Sequence, residues 1–352
     1  MIHRKIVTFY LFYLFLLSSL FTLTQNNSWI IDAADESFDQ WYFIAMGDNR
    51  NWDPNSTNIY RRNITESVIQ NNPNLEFILH SGDMVNNGGE QDDWDKYYED
   101  IGLALQNNVQ FYYAVGNHEM YTYPLPDGSY GPIEMDFATY LANVEMPGNE
   151  RYYSINFNQI HFIIINTDEY WEGSLELTLE QEDWIVDDLK ANSKDFTVAM
   201  FHRPCYSVRS EGRVNDAIEI RKVLEPILIE YGVDLVFSGH DHYYYRTIRE
   251  GVTHIVTGGA GAPLYIPTET DQAEEEDKYF AEYHYCNITV TEDYIKVETL
   301  VFDNNLEHVT IEDTIEFSLS SITEITTSPF IFCAFIWTLW LLNSIMKKKK
   351  NN

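Results

Sequence analysis

The chain has 352 residues, enough for a sizeable core in one domain or at most two. Acidic residues outnumber basic ones 55 to 22, a formal net charge of −33 at pH 7, which excludes a nucleic-acid binder because that role needs a basic footprint. Three cysteines without a C-x-x-C pair argue against structural zinc and leave open whether Cys205 and Cys286 form a disulfide.

In chain order, residues 1–24 join a basic flank, His3-Arg4-Lys5, to the apolar run Ile6–Leu23. That is the pattern of a signal peptide or of an uncleaved signal anchor. A polar linker, 25–40, leads into the apolar run Trp41–Met46, read as a strand that stops at Gly47-Asp48-Asn49-Arg50. A helix is expected over Tyr60–Asn71, and a second strand, Leu75–Leu79, runs into His80-Ser81-Gly82-Asp83. Trp94, Tyr97, Tyr98, Ile101 and Leu105 give Gln91–Gln106 helical spacing, with the aromatic stripe assigned to the core. A third strand, Val109–Val115, ends at Gly116-Asn117-His118-Glu119. The segment Glu119–Glu150, aromatic and dotted with proline, is expected to cover whatever these strand ends build.

Tyr152–Phe157 and Ile160–Asn166 read as a hairpin across Asn158-Gln159. Leu179–Ala191 is an amphipathic helix with Thr178 as N-cap. The strand Phe196–Phe201 runs into His202-Arg203-Pro204, Ser207–Arg213 reads as a loop, and Asn215–Tyr231 as a helix kinked or broken at Pro226. Asp234–Phe237 is a buried strand that stops at Ser238-Gly239, before His240-Asp241-His242. Thr253–Thr257 precedes a glycine-rich turn and an acidic loop, Glu269–Asp277; Tyr283–Val290 and Tyr294–Phe302 close the domain as a hairpin. The domain is read over 41–318, with a linker at 319–328. Pro329–Met346 is apolar and near the minimum length for a transmembrane helix, and the tail 347–352 opens with four lysines. Lysines favour the cytoplasmic side, so the expectation is a single-pass cell-membrane protein with its domain outside the cell.

One grammar recurs five times: a short apolar strand, a small or polar break, then a residue able to bind metal. Asp48, Asp83, Asn117, His202 and the pair His240/His242 are thereby delivered to the carboxyl ends of strands, where α/β sheets bind ligands. Two carboxylates, an amide and three imidazoles exceed one open tetrahedral site; they suit two ions such as Fe, Mn or Zn, and not calcium.

This ordered set resembles the calcineurin-like metallophosphoesterase superfamily, and within it the purple acid phosphatase branch. Phe201-His-Arg-Pro-Cys-Tyr-Ser207, Gly239-His-Asp-His-Tyr-Tyr-Tyr-Arg246, the hairpin Tyr152-Tyr-Ser-Ile…His161-Phe-Ile-Ile-Ile-Asn-Thr167 and Thr257-Gly-Gly-Ala-Gly-Ala-Pro263 carry the same resemblance, over roughly residues 38 to 303. It implies a four-layer α/β/β/α sandwich with two mixed sheets. It also implies that Asp83 bridges two metals, that Asp48 and His242 hold the first, and that Asn117, His202 and His240 hold the second.

Two such ions would activate a bridging hydroxide for attack on phosphorus. His118, next to a ligand, is the candidate general acid, or else it orients a ligand. Two positions depart from the family pattern. Arg50 stands where many members carry a histidine ligand, and Asn86 where purple enzymes carry a tyrosine ligand. Arg50 could contact substrate phosphate or form an ion pair; Asn86 could fill a gap in the first site; Arg203 and Arg246 are weaker phosphate candidates, with structural salt bridges as the favoured role. The expected function is hydrolysis of phosphate esters, foremost monoesters. A phosphodiesterase acting on cyclic nucleotides or lipid head groups, and a non-catalytic metal-stabilised surface binding protein, are the alternatives.

Overall fold

The computed structural model describes residues 40–51, 58–120, 137–168, 177–269, 272–303, 305–306 and 308–319. The expected signal segment 1–24, the apolar run 329–346 and residues 121–136 of the proline-dotted excursion lie outside them. No helix among the described residues is long and apolar enough to cross a membrane.

The elements in order are β1 (Trp41–Met46), α1 (Ile59–Asn71), β2 (Leu75–His80), α2 (Gln91–Asp100), α3 (Gly102–Gln106), β3 (Gln110–Tyr113), α4 (Asn117–Met120), α5 (Phe137–Asn143), β4 (Tyr153–Phe157), β5 (Ile160–Ile164), α6 (Leu179–Ala191), β6 (Phe196–Met200), α7 (Glu211–Glu230), β7 (Leu235–Ser238), β8 (Tyr244–Arg249), β9 (Val252–Thr257), β10 (Lys278–Phe280), β11 (His284–Val290), β12 (Tyr294–Phe302) and β13 (Val309–Ser318). They form two sheets, ordered β13-β12-β11-β1-β2-β3 and β10-β8-β9-β7-β6-β5-β4. Each is mixed. β1, β2 and β3 are parallel, and β11 runs antiparallel to β1. In the second sheet β5, β6, β7 and β9 are parallel, flanked by antiparallel β4 and β8.

The period of two along each strand sorts the second sheet's side chains into two cores. Phe162, Ile164, Val198, Met200, Leu235 and Phe237 join the main cluster, which includes Phe43 and Phe77 of the first sheet. Phe162 meets both of those rings edge-on at 5.3 and 5.4 Å. The intervening Ile163, Ala199, Phe201 and Val236 face outward, under Ile185 and Leu189 of α6 and Ile220, Leu224 and Leu228 of α7. On the first sheet's side, Ile64 and Val68 of α1 and Trp94 and Tyr97 of α2 join the main cluster. The result is helices, sheet, sheet, helices.

Several local expectations change. The helix expected over Gln91–Gln106 divides at Ile101, where Gly102, a poor helix former, follows. The helix expected from Asn215 starts at Glu211, inside the expected loop, and runs through Pro226 without ending. Three strands went unforeseen: β8, hidden inside the histidine motif, the short β10, and β13, whose buried position at Asp313 is acidic and disguises its alternation. Asp313 earns its burial: it accepts from Arg246 Nε at 2.5 Å and from the Tyr244 hydroxyl at 2.8 Å, tying the second sheet to the first. This commits Arg246 to a structural ion pair. Cys205 and Cys286 are both free and buried, each in a different core, so they form no disulfide.

Candidate metal centre

The carboxyl ends of β1, β2, β3, β6 and β7 come together where the two sheets meet, and six of the side chains singled out above converge there. The turns that carry them are strained. Asp48, Asp83 and His240 have φ of 56°, 57° and 69°, a region that non-glycine residues occupy mainly where the surroundings enforce it. Gly82, at φ +97°, lies so close to its neighbours that a Cβ would sit 2.7 Å from the Gly116 nitrogen and 2.9 Å from His202 Nδ1. Gly239 packs so tightly on the Asp48 carboxylate that a side chain there would collide with it.

Hydrogen bonds outside the cluster fix which ring nitrogen points inward. His202 Nδ1 lies 2.8 Å from the Ser81 carbonyl and His242 Nδ1 lies 2.7 Å from the Pro263 carbonyl. A carbonyl only accepts, so each Nδ1 carries a proton and, in the neutral ring, Nε2 presents a lone pair. His202 Nε2 then faces Asn117 Oδ1 at 3.2 Å and Asp83 Oδ1 at 3.3 Å. His242 Nε2 faces Asp48 Oδ1 at 3.4 Å. His240 places Nδ1 3.2 Å from His202 Nε2 and donates its backbone N–H to both oxygens of Asp48.

Acceptors therefore confront acceptors in a buried pocket, an arrangement that calls for positive charge. The same demand acts on His202. Burial disfavours its imidazolium, but Asp83, Asp48, Asp168 and Glu119 outweigh burial and raise its pKa. Burial and the nearby Arg213 and Arg203 push His240 well down, keeping it neutral. Burial works against ionisation of Asp83, yet His202, His118 and Arg50 together hold it below the usual carboxylate range. Donor atoms of Asp48, Asp83 and His242 all lie within 4.8 Å of one another. Oxygen and imidazole donors in this number fit transition-metal ions.

His118 sits beside the cluster. Its Nδ1 is 2.7 Å from the Asn86 carbonyl and its Nε2 is 3.9 Å from Asp83 Oδ2. Burial lowers its pKa to about 4, against the pull of Asp83. Arg50 lies in the same corner, Nη1 donating to Asn86 Oδ1 at 3.1 Å and Nε 3.8 Å from Asp83 Oδ2. The two departures from the family pattern thus touch each other. Arg203 donates from Nε to Asp168 at 2.6 Å and its Nη1 is 3.0 Å from His240 Nε2, so it braces the loop of His202 against His240.

Sequence reasoning gave no role to the side chains that shape these loops. The Glu119 carboxylate accepts four backbone N–H groups: Asp83 and Gly116 on Oε2, both at 2.8 Å, and Met84 and Val85 on Oε1, at 2.8 and 3.2 Å. Arg61 of α1 donates to the carbonyls of Asn49 and Met84, the residues that follow Asp48 and Asp83. Its charge is matched by Asp100, 2.6 Å away. Asn58 caps α1 with its oxygen and donates Nδ2 to the carbonyls of Asn49, Arg50 and Gly261. Tyr265 stacks on His242 with centroids 4.0 Å apart. Only Glu119 left a signal, being the last residue of a motif already noted.

Comparison with known proteins adds to this geometry. The family model described as calcineurin-like phosphoesterase matches residues 41–244. Purple acid phosphatase 13 of Arabidopsis thaliana is 30% identical over 188 residues, 49% of this chain and 32% of that protein. Acid phosphatase type 7 of Mus musculus is 27% identical over 228 residues, 53% of this chain and 48% of that protein. The chain thus spans between about a third and a half of the curated relatives it matches. A solved purple acid phosphatase from yellow lupin (Lupinus luteus) seeds superposes with a TM-score of 0.66 at 20% identity, over 80% of this chain and 54% of that one, and so shares its fold.

Proposed function

Because the chain belongs to the calcineurin-like phosphoesterase family, we propose that it is a metal-dependent phosphoric ester hydrolase acting on phosphomonoesters. The observation that carries this reading is the convergence of buried lone pairs from Asp48, Asp83, His202 and His242, and of the half-buried Asn117 amide oxygen, with a histidine, His118, held beside them. Asp83, whose carboxylate lies near both His202 and His118, would serve both ions. Asp48 and His242 would complete the first site; Asn117, His202 and His240 the second. Bound there, iron, manganese or zinc would supply Lewis acidity toward the phosphoryl oxygens and make water nucleophilic near neutral pH.

The chain's own groups do the rest. The carbonyls of Ser81 and Pro263 hold the ligand tautomers of His202 and His242. The Asn86 carbonyl keeps the proton of His118 on Nδ1, so Nε2 is the atom that picks up and delivers a proton to the leaving oxygen. Arg50, anchored by Asn86, offers a cation beside Asp83 to a phosphoryl oxygen. The apolar segments 6–23 and 329–346 support a location at the cell membrane with the domain outside it.

The test compares the rates of the metal-loaded full chain on an aryl phosphate and a bis-aryl phosphate. The monoester is expected to be the better substrate by about tenfold or more in kcat/KM, or roughly 1.4 kcal/mol. A diester preference of that size would move the assignment to a phosphodiesterase.

A further inference from the structure

A second cluster of metal-type donors lies away from the centre described above, on the helix-covered face of the seven-stranded sheet. Cys205 follows β6, Glu225 is on α7 and His254 is on β9. One thiol, one carboxylate oxygen and one ring nitrogen from them lie within 4.8 Å of each other. The three residues are 1%, 7% and 3% exposed.

Three of their polar atoms are not accounted for by hydrogen bonds. His254 Nε2 is 3.1 Å from Glu225 Oε2, but the geometry is not that of a hydrogen bond. Neither ring nitrogen of His254 has a hydrogen-bond partner, nor does Glu225 Oε2. Buried imidazole and carboxylate atoms left in this way are rare and destabilising in a folded protein. The other carboxylate oxygen is held: Tyr206 donates its hydroxyl to Glu225 Oε1 at 3.1 Å. That bond turns Oε2 toward His254 and Cys205, as outer partners of metal-bound carboxylates do. The Tyr206 ring also packs edge-on against the His254 ring, 5.0 Å between centroids.

We propose that Cys205, Glu225 and His254 form a separate site for one zinc-class divalent ion. Sulfur, nitrogen and oxygen donors on three elements match the ligand set that zinc accepts. The charges also close: a thiolate, a carboxylate and a neutral imidazole around a divalent ion sum to zero, which suits a dry interior. Without the ion, burial and the charge of Glu225 push the Cys205 thiol well up, so it stays protonated and inert. The ion would tie the loop that carries His202 to α7 and β9. Its role is to brace the phosphoesterase scaffold from outside, and the proposal stands whether or not the chain hydrolyses phosphate esters. Spacing in the sequence could not reveal it, because the ligands are about 20 and 29 residues apart on different elements.

Cobalt(II) substitution of the metal-stripped full-length chain reads this site selectively. Only a thiolate ligand gives sulfur-to-cobalt charge-transfer absorption in the near ultraviolet, and the six candidate ligands of the main centre include no sulfur. The expected result is a band that saturates at one equivalent and is displaced by zinc. It should persist in C286A/C333A, where Cys205 is the sole cysteine, and vanish in C205S. His254→Gln should weaken cobalt binding by more than the roughly 10–100-fold typical of outer-shell changes, with the circular dichroism spectrum unchanged. Absence of the band in the wild-type chain overturns the proposal outright, with no variant needed. So does a band that survives C205S, or one lost in a folded C286A/C333A chain.

Discussion

Replacing Arg61 with methionine tests how the candidate metal loops are held. The Arg61 guanidinium is 1% exposed and makes four hydrogen bonds. Nε and Nη2 reach Asp100 Oδ2 at 3.2 and 2.6 Å; Nη1 reaches the Asn49 and Met84 carbonyls at 3.2 and 2.9 Å. Methionine keeps much of the volume and removes all four. Removing one partner of a buried pair typically costs about 3–5 kcal/mol, because the other charge stays behind. Here Asp100 keeps Arg62, 2.9 Å from its other oxygen, and the Asn58 backbone N–H at 3.1 Å. Those contacts cap the loss near the bottom of that range, while the abandoned Met84 carbonyl adds about 1 kcal/mol. The expected destabilisation is therefore about 4 kcal/mol. Urea unfolding would show it as a lower midpoint at unchanged slope. A cycle with Asp100→Asn should return a coupling of roughly 2 kcal/mol or more, since the two groups touch. Metal affinity should fall as well, because Asn49 and Met84 directly follow Asp48 and Asp83. A loss below about 1 kcal/mol, or no coupling to Asp100, would refute the claim that this ion pair clamps the two loops.

Two further outcomes follow from the same structure. His118→Ala should lower kcat by roughly 10²–10⁴ on alkyl phosphates, whose leaving oxygen needs a proton, and by far less on an aryl phosphate with an acidic leaving group; equal losses on both would mean that His118 only positions its neighbours. Asp93 accepts the Asn87 N–H at 2.8 Å, and burial lifts its pKa from 3.8 to about 6. The folded chain then binds a proton more tightly than the unfolded one, so this group's contribution to stability falls as pH rises from 3.8 through about 6, by at most ~3 kcal/mol. Asp93→Asn should flatten stability across that window in pH-dependent urea melts, and an unchanged slope would exclude Asp93 as its source.

How much of this was legible before the structure depends on what each residue does. Strands β1, β2, β3, β6 and β7 announced themselves as apolar runs, because strands buried on both faces carry few polar residues. The ends of β1, β2, β3 and β7 were marked by Gly47, Gly82, Gly116 and Gly239, that of β6 by His202-Arg203-Pro204, and the residues after the breaks did converge. What stayed hidden were groups whose partners lie far away in sequence. Arg61 and Asp100 look like ordinary helix-surface charges until the fold buries them together. Glu119 is unremarkable as a carboxylate until the turns at Asp83 and Gly116 aim four N–H groups at it. β13 evaded its pattern because its buried position is an aspartate matched by Arg246, not an apolar side chain. The pairing of Cys205 with Cys286 was undecidable from spacing alone, and the two sheet faces answer it by separating them.

The central claim is that the cluster around Asp83 binds metal and thereby hydrolyses phosphate esters. It is met most directly by stripping the full chain of metal, reloading it with manganese, zinc or iron, and following hydrolysis of a chromogenic phosphomonoester beside Asp83→Asn. Turnover that appears only with metal, and that Asp83→Asn abolishes while the fold persists, is the predicted result. Stoichiometric metal binding at Asp83 with no turnover of monoester or diester under any of the three metals would contradict it and leave a metal-stabilised binding protein.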